Sequence, residues 1–192
     1  MVDQLLSASL PLGGYDELIG STRLCEITTL DIVSIATPRD GHDTLTALTT
    51  EKLGLALPDA GKISRQDESS SLLGLQLDQC FMITQQQALD PAAALKTLLG
   101  DSAYVSDQSD SWVVVDISGP DVIAALERIC PLDLAPDVFD DAVVARTVME
   151  HLSVIMERPE QYRFRLYSPR SSAASFLHAL SVSIRNVSLE DS

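Results

Sequence analysis

Hydrophobic and polar positions along this chain fall into two stretches with a similar grammar. The first begins at residues 30–36 (LDIVSIA), which are rich in β-branched side chains and stop at Thr37-Pro38, predicting a strand and then a break. Asp40 or Asp43 is placed to cap a helix carrying Leu45, Leu48 and Leu53, and Gly54 suits the residue just past its end. Residues 57–61 (LPDAG) read as a loop. Residues 70–77 and 80–84 are strand-like runs that meet at Asp78-Gln79, which predicts a hairpin. Asp90-Pro91 then opens a second helix, cap residue followed by proline in the first turn, with Ala94, Leu95, Leu98 and Leu99 as its apolar stripe and Gly100 closing it.

The second stretch repeats the order. Residues 103–105 and 111–117 (SWVVVDI) predict strands, and the nearly unbroken apolar run of the latter predicts burial on both faces. Ser118-Gly119-Pro120 turns the chain into a helix with Val122, Ile123, Leu126 and Ile129 on one side, ended by Cys130-Pro131. Residues 143–149 and 152–156 predict a hairpin turning at Glu150-His151. Residues 162–167 (YRFRLY) alternate, which predicts a half-exposed strand with Arg163 and Arg165 on the wet face. Phe176, Leu177, Leu180 and Ile184 have the spacing of a final helix after Ser168-Pro169-Arg170.

Each stretch therefore reads strand, helix, strands, helix, with a proline turn after the first strand and a Leu-rich, proline-punctuated loop after the first helix. The pattern predicts an α+β fold of duplicated split β-α-β modules, antiparallel sheets with helices packed on them, at about 27–100 and 101–192. Residues 1–26 mix Leu with Ser, Gly and Pro without a clean period and read as an N-terminal arm, outside the core.

Composition narrows the class. The 192 residues are 45% hydrophobic, 21% charged and 5% aromatic, so burial rests on Leu, Val, Ile and Ala. A net charge of −15 repels phosphate backbones and anionic lipid, so neither nucleic acid nor membrane is expected as a partner. The charge is uneven: residues 1–141 hold 7 basic and 23 acidic side chains (net −16), residues 142–192 hold 6 and 5 (net +1). Arg146, Arg158, Arg163, Arg165 and Arg170 gather in that last part, either as a solvated sheet face with local ion pairs or as a docking surface. Cys25, Cys80 and Cys130 are too widely spaced for a disulfide framework or a zinc knuckle and read as reduced thiols. The N-terminal residues lack a secretory pattern and no apolar run approaches a membrane span, so a cytoplasmic location is expected.

Motifs that carry chemistry are missing. His42, His151 and His178 have no short-spaced ligand partners beyond ordinary carboxylates. No Gly-x-Ser-x-Gly elbow occurs, and Cys130 stands before a proline in apolar surroundings, a poor setting for a thiolate. Gly61-Lys62 resembles the end of a phosphate loop, but Gly54 is two residues too far away and Ile63 replaces the hydroxyl that would hold magnesium. Residues 107–110 (DQSD) admit two readings, paired carboxylates or ordinary turn chemistry.

One set of strings resembles a known family. Residues 105–110 (VSDQSD), 113–120 (VVVDISGP), Leu126 and 130–134 (CPLDL), continuing through Pro136, Val138 and Phe139, are similar to the gamma subunits of heterotetrameric sarcosine oxidases. The likeness resumes at 167–171 (YSPRS) and 175–180 (SFLHAL) and covers about residues 27–182. Residues 75–81 (LQLDQCF) keep an Asp but lack the two Trp and the Gly-Pro usual in that family, which implies a divergent member serving a related N-methylated substrate.

The resemblance implies a fold like the folate-binding domain of aminomethyltransferases and an auxiliary, non-catalytic role. In such complexes alpha and beta subunits carry FAD, FMN and NAD, and a delta subunit carries zinc. The assembly demethylates sarcosine oxidatively to glycine, forming peroxide and, with tetrahydrofolate, methylenetetrahydrofolate. No cofactor and no catalytic residue is then expected in this chain, and alone it should be inactive. Asp107, Gln108, Ser109, Pro131, Asp133 and Arg170 become candidates for contacts with alpha and beta, or for a role inside their own module. Two alternatives stand beside this reading. One is a stand-alone folate-binding or one-carbon transfer protein of the same fold, which would need a buried acid and aromatics around the pterin, with Trp112 the only tryptophan. The other is an unrelated acidic interaction protein, which requires a fold without the duplicated module.

Overall fold

Strand β3 (Asp31–Ala36) shows how the chain builds its layers: Ile32 points to one face, Val33 and Ile35 to the other, and all three are buried. A strand buried on both sides needs a layer on each. In the computed structural model, which describes residues 9–67, 69–85 and 88–190, those layers are a second sheet and a pair of helices.

The five-stranded sheet has the order β4-β5-β6-β3-β7, with β4 (Ile63–Asp67), β5 (Ser70–Gln76), β6 (Gln79–Thr84) and β7 (Tyr104–Asp107). Its outer face packs against α1 (His42–Leu53) and α2 (Pro91–Leu99) through Leu45, Leu95 and Leu99. The six-stranded sheet has the order β1-β2-β8-β11-β10-β9. Its strands are β1 (Asp16–Ile19), β2 (Thr22–Glu26), β8 (Trp112–Ser118), β9 (Val144–Met149), β10 (Leu152–Glu160) and β11 (Arg163–Pro169). Its outer face is covered by α3 (Val122–Glu127) and α4 (Ala173–Glu190). The inner faces meet through Ile32, Leu73, Phe81 and Ile83 against Val114, Val144, Ile155 and Tyr167. The layer order is helices, sheet, sheet, helices. Every strand pairing is antiparallel, and a bridge between Lys62 and Val143 joins the β4 and β9 edges into a seam.

The duplicated plan is visible in the pairing. In each sheet a three-strand meander (β4-β5-β6, β9-β10-β11) ends beside the strand that preceded it through a helix (β3, β8). β6, α2 and β7 form a split β-α-β unit with β3 between its strands. Local signals behave as expected at several ends. Asp90 accepts the Ala93 amide at 2.8 Å, Gly54 is left-handed at φ 68°, and Glu150-His151 turns the β9–β10 hairpin with φ 47° and 70°. Phe176, Leu180, Ile184 and Val187 bury one stripe of α4, each contributing about 1.5–3 kcal/mol by leaving water.

One expectation is corrected. Within the proposed arm, Asp16–Ile19 and Thr22–Glu26 form the hairpin β1–β2, which pairs through Arg23↔Ser118 to Glu26↔Val115 with β8 and buries Ile19 and Leu24; residues 1–8 lie outside the described residues. A segment with few apolar positions became core because β8 offered a free edge. Residues 63–67, which carry no strand pattern, form the edge strand β4 because β5 and the seam to β9 supply their partners.

Candidate functional site

Where β7 leaves one sheet and β8 enters the other, Asp107, Gln108 and Ser109 close the gap between them. The Gln108 amide donates to the Ile32 carbonyl at 2.7 Å, and the Ile32 amide donates to Ser109 Oγ at 3.0 Å. Ser109 Oγ in turn donates to Asp107 Oδ1 at 2.7 Å, which also accepts the Ser109 amide at 2.9 Å. A Ser side chain thus completes a ladder that the backbone can no longer continue, and Asp holds it in place. Of the two readings of this string, the turn chemistry is the one observed: Asp107 is engaged with its own loop.

Arg170, just past β11, reaches the same corner. Its guanidinium lies 3.6 Å from Asp110 Oδ1 and donates to the Ser9 carbonyl. Together with residues 9–11, 26–28 and 30–32, Ser109, Asp110, Trp112 and Arg170 line a cavity of about 310 Å³. Its carboxylates are largely committed to backbone: Glu26 accepts the Leu12 and Gly14 amides, and Asp31 accepts the Ala88 amide. Trp112 packs edge-on against Phe81 with 5.8 Å between ring centres, and its Nε1 is buried without an acceptor. Pro131 and Asp133 do not line this cavity. They sit exposed in the loop after α3, where Asp133 Oδ1 accepts the Ala135 amide at 3.0 Å.

That loop is held from beneath by Arg158 of β10, which is 2% exposed. Its guanidinium donates at 2.7 Å to each of the Phe139 and Leu134 carbonyls and lies 4.5 Å above the Phe164 ring. Carbonyl dipoles and a ring face replace a carboxylate partner, and burial pushes the Arg158 pKa down from its ordinary value. The Cys-Pro-Leu-Asp-Leu string thus has a packing account: Cys130, Leu134 and Phe139 are buried in the outer core and Arg158 fixes the backbone between them. Gly119 also has a steric reason. Its φ is +140°, and a Cβ there would run into the Ser21 carbonyl, where the β1–β2 hairpin crosses.

Arg163 and Arg165 are not on a wet face. Their side chains are 28% and 11% exposed, turned between the sheets onto Asp116 of β8, with Nε–Oδ distances of 2.9 and 2.8 Å. Beside them Glu157 accepts from Arg65 of the other sheet and, at 2.6 Å, from the Tyr167 hydroxyl. Desolvation by burial, the neighbouring Glu157 carboxylate and that hydrogen bond hold the Tyr167 pKa well above the ordinary range. The alternation was read correctly, but the second sheet covers the face it defines. Arg158, grouped in the sequence with arginines of a solvated or docking face, is instead buried, and Asp116 and Glu157 are polar residues that the sequence reading did not single out. Strand parity carried a signal for the first: Val154, Met156 and Arg158 share a face, so the cation had to lie among apolar neighbours.

The described residues hold no cluster of three or more potential metal ligands. The three histidines are exposed, and Cys80 is buried in the outer core with its thiol pushed up to about 12 by desolvation. No described helix is long and apolar enough to cross a membrane. The corner can bind and brace, and it contains no paired nucleophile and base among the described residues.

Comparison with known proteins agrees with this architecture. No family model matches the chain. It is 29% identical over 156 residues to the sarcosine oxidase subunit gamma of Corynebacterium sp. (strain P-1), spanning 80% of this chain and 74% of that protein. A chain of the heterotetrameric sarcosine oxidase from Corynebacterium sp. U-96, in complex with pyrrole 2-carboxylate, superposes with a TM-score of 0.77 at 22% identity, covering 90% of this chain and 88% of its own. The glycine cleavage system aminomethyltransferase T from Bartonella henselae superposes with a TM-score of 0.63 at 12% identity, covering 90% of this chain and 56% of its own. The resemblance to sarcosine oxidase gamma subunits and the aminomethyltransferase-like fold are both borne out.

Proposed function

We propose that this chain is the gamma subunit of a heterotetrameric, flavin-dependent oxidase of sarcosine or a related N-methyl amino acid. In that assembly it lends a folded surface to neighbours that carry the chemistry. The observation that carries the reading is the likeness to a curated gamma subunit across four-fifths of the chain. FAD, FMN and NAD would reside in alpha and beta subunits and zinc in a delta subunit, in a cytoplasmic complex. The disposition of acids in this chain agrees: Asp116 and Glu157, the buried carboxylates between the sheets, are already held by Arg163, Arg165, Arg65 and Tyr167.

The test is purification alone and with companions. Alone, the chain should be colourless and without sarcosine-dependent peroxide formation. Co-expressed with its alpha, beta and delta companions, it should co-elute with them at fixed stoichiometry. Failure to co-elute overturns the proposal. Tight calorimetric binding of tetrahydrofolate by the isolated chain would favour the alternative, a stand-alone folate-binding protein of the same fold.

A further inference from the structure

The two sheets follow one plan, and one place in that plan is filled on one side only. In the six-stranded sheet the meander is followed by β8, then β2, then the edge strand β1. In the five-stranded sheet it is followed by β3 and β7, where the order stops. β7 stands where β2 stands, each antiparallel to the first strand of its module. Among the described residues nothing occupies the place beside β7 that β1 occupies beside β2.

β1 shows what such a strand does. It pairs with β2 from Asp16↔Cys25 to Ile19↔Thr22 and drives Ile19 into the outer core that α4 closes with Val187. Beside β7 the corresponding position is an open groove of about 440 Å³ between that strand and α2, lined by Asp90, Ala92, Ala93, Lys96, Tyr104 and Val105. Its apolar walls are the side chains of Ala92, Ala93 and Val105, against which a branched aliphatic side chain can pack. The backbone is equally open. Because the Gln108 amide donates to Ile32, ladder alternation turns the Val105 and Asp107 N–H and C=O groups away from β3, toward the empty side. β7 has no proline, lysine or arginine to discourage pairing. Residues 100–110 carry Asp101, Asp107 and Asp110 and no basic residue; Lys96 pairs with Asp101 at 3.1 Å and Arg170 lies 3.6 Å from Asp110, so the net negative charge at this edge rests on Asp107 and on Asp90 at the rim of the groove, neither of which forms an ion pair among the described residues. An incoming strand is therefore favoured when it is basic.

We propose that β7 is a docking edge for an extended segment of a partner subunit. The segment runs antiparallel to β7, places one Val, Ile or Leu in the groove under α2, and carries Lys or Arg against the acidic stretch. This rests on the subunit reading above.

The test is amide exchange at residue resolution on the free chain and on the co-expressed complex. The Val105 and Asp107 amides should exchange at least about 100-fold more slowly in the complex. Val105→Pro removes an outward-facing donor. If that change perturbs the fold, Ala93→Lys, at an exposed position on α2, sets a cation across the groove without touching the core. Either should weaken retention in the complex by at least about tenfold. A complex in which both amides exchange as in the free chain, with both variants retained like wild type, overturns the docking edge and leaves the subunit reading standing. Absence of a complex with any companion overturns both.

Discussion

Arg158 is the most exacting place to test this account, because it is a buried cation held by carbonyls. Replacing it with methionine keeps the unbranched stem and removes the guanidinium. The loss comprises two hydrogen bonds from a charged donor at 2.7 Å and the contact with Phe164. It leaves the Leu134 and Phe139 carbonyls in a core where those residues are 0% and 4% exposed. Each unsatisfied carbonyl costs about 1–3 kcal/mol. The lost cation–π contact adds about 1–2 kcal/mol. Against this, removing a desolvated charge returns part of its burial penalty, which is several kcal/mol. The balance is a destabilisation of about 2–4 kcal/mol for Arg158→Met. Arg158→Lys, whose ammonium lacks the fork that spans both carbonyls, should lose about 1–3 kcal/mol. Urea unfolding followed by Trp112 fluorescence reads this as a midpoint lowered by roughly 1–2 M for Arg158→Met at unchanged slope. A shift below about 0.3 M would refute the reasoning, since the loop would then be held by its apolar contacts alone.

Three further outcomes follow from the same structure. Asp116→Asn leaves Arg165 without its hydrogen-bonded carboxylate and Arg163 with only the exposed Glu160, and should cost about 3–5 kcal/mol by thermal or urea unfolding; a neutral result would mean that the Asp116 carboxylate contributes nothing net to stability. Gly119→Ala forces a Cβ onto the Ser21 carbonyl at φ +140° and should cost about 2–4 kcal/mol, with faster amide exchange in β1 and β2, whereas an unchanged melting curve would refute the steric account. Cys80, with its thiol pushed up to about 12, should resist a thiol reagent at pH 8 until the chain unfolds. Because its folded pKa lies above the unfolded value near 9, its contribution to stability is complete below pH 9 and is lost as pH rises toward 12, at about 1.4 kcal/mol per unit; stability flat across that range in wild type relative to Cys80→Ala would contradict it.

The order of elements was largely legible because local chemistry wrote it. Asp90-Pro91 and Gly54 mark helix ends through one capping bond and one left-handed residue, and neither needs a distant partner. The nearly unbroken apolar run in β8 announced burial on both faces, which is what a strand between a sheet and a helix layer requires. Of the candidate site residues, Asp107, Gln108, Ser109 and Arg170 meet at one corner, while Pro131 and Asp133 stand in another loop. The sequence could name these residues but could not group them, since 62 positions separate Gln108 from Arg170 and only strand order closes that distance.

What the chain determined alone is most of the elements from β3 onward and their repeated order, because periodicity and caps are properties of neighbours. What the tertiary structure decided is which faces are dry. Arg163 and Arg165 have the parity of a solvated row, yet a second sheet and Asp116 take that face from water. Residues 16–26 have the look of an arm, yet the free edge of β8 gives their amides partners and their few apolar side chains a core. Burial and edge pairing are settled by segments far apart in sequence, 47 residues for Arg163 and Asp116 and 95 for Arg23 and Ser118, and no local pattern encodes them.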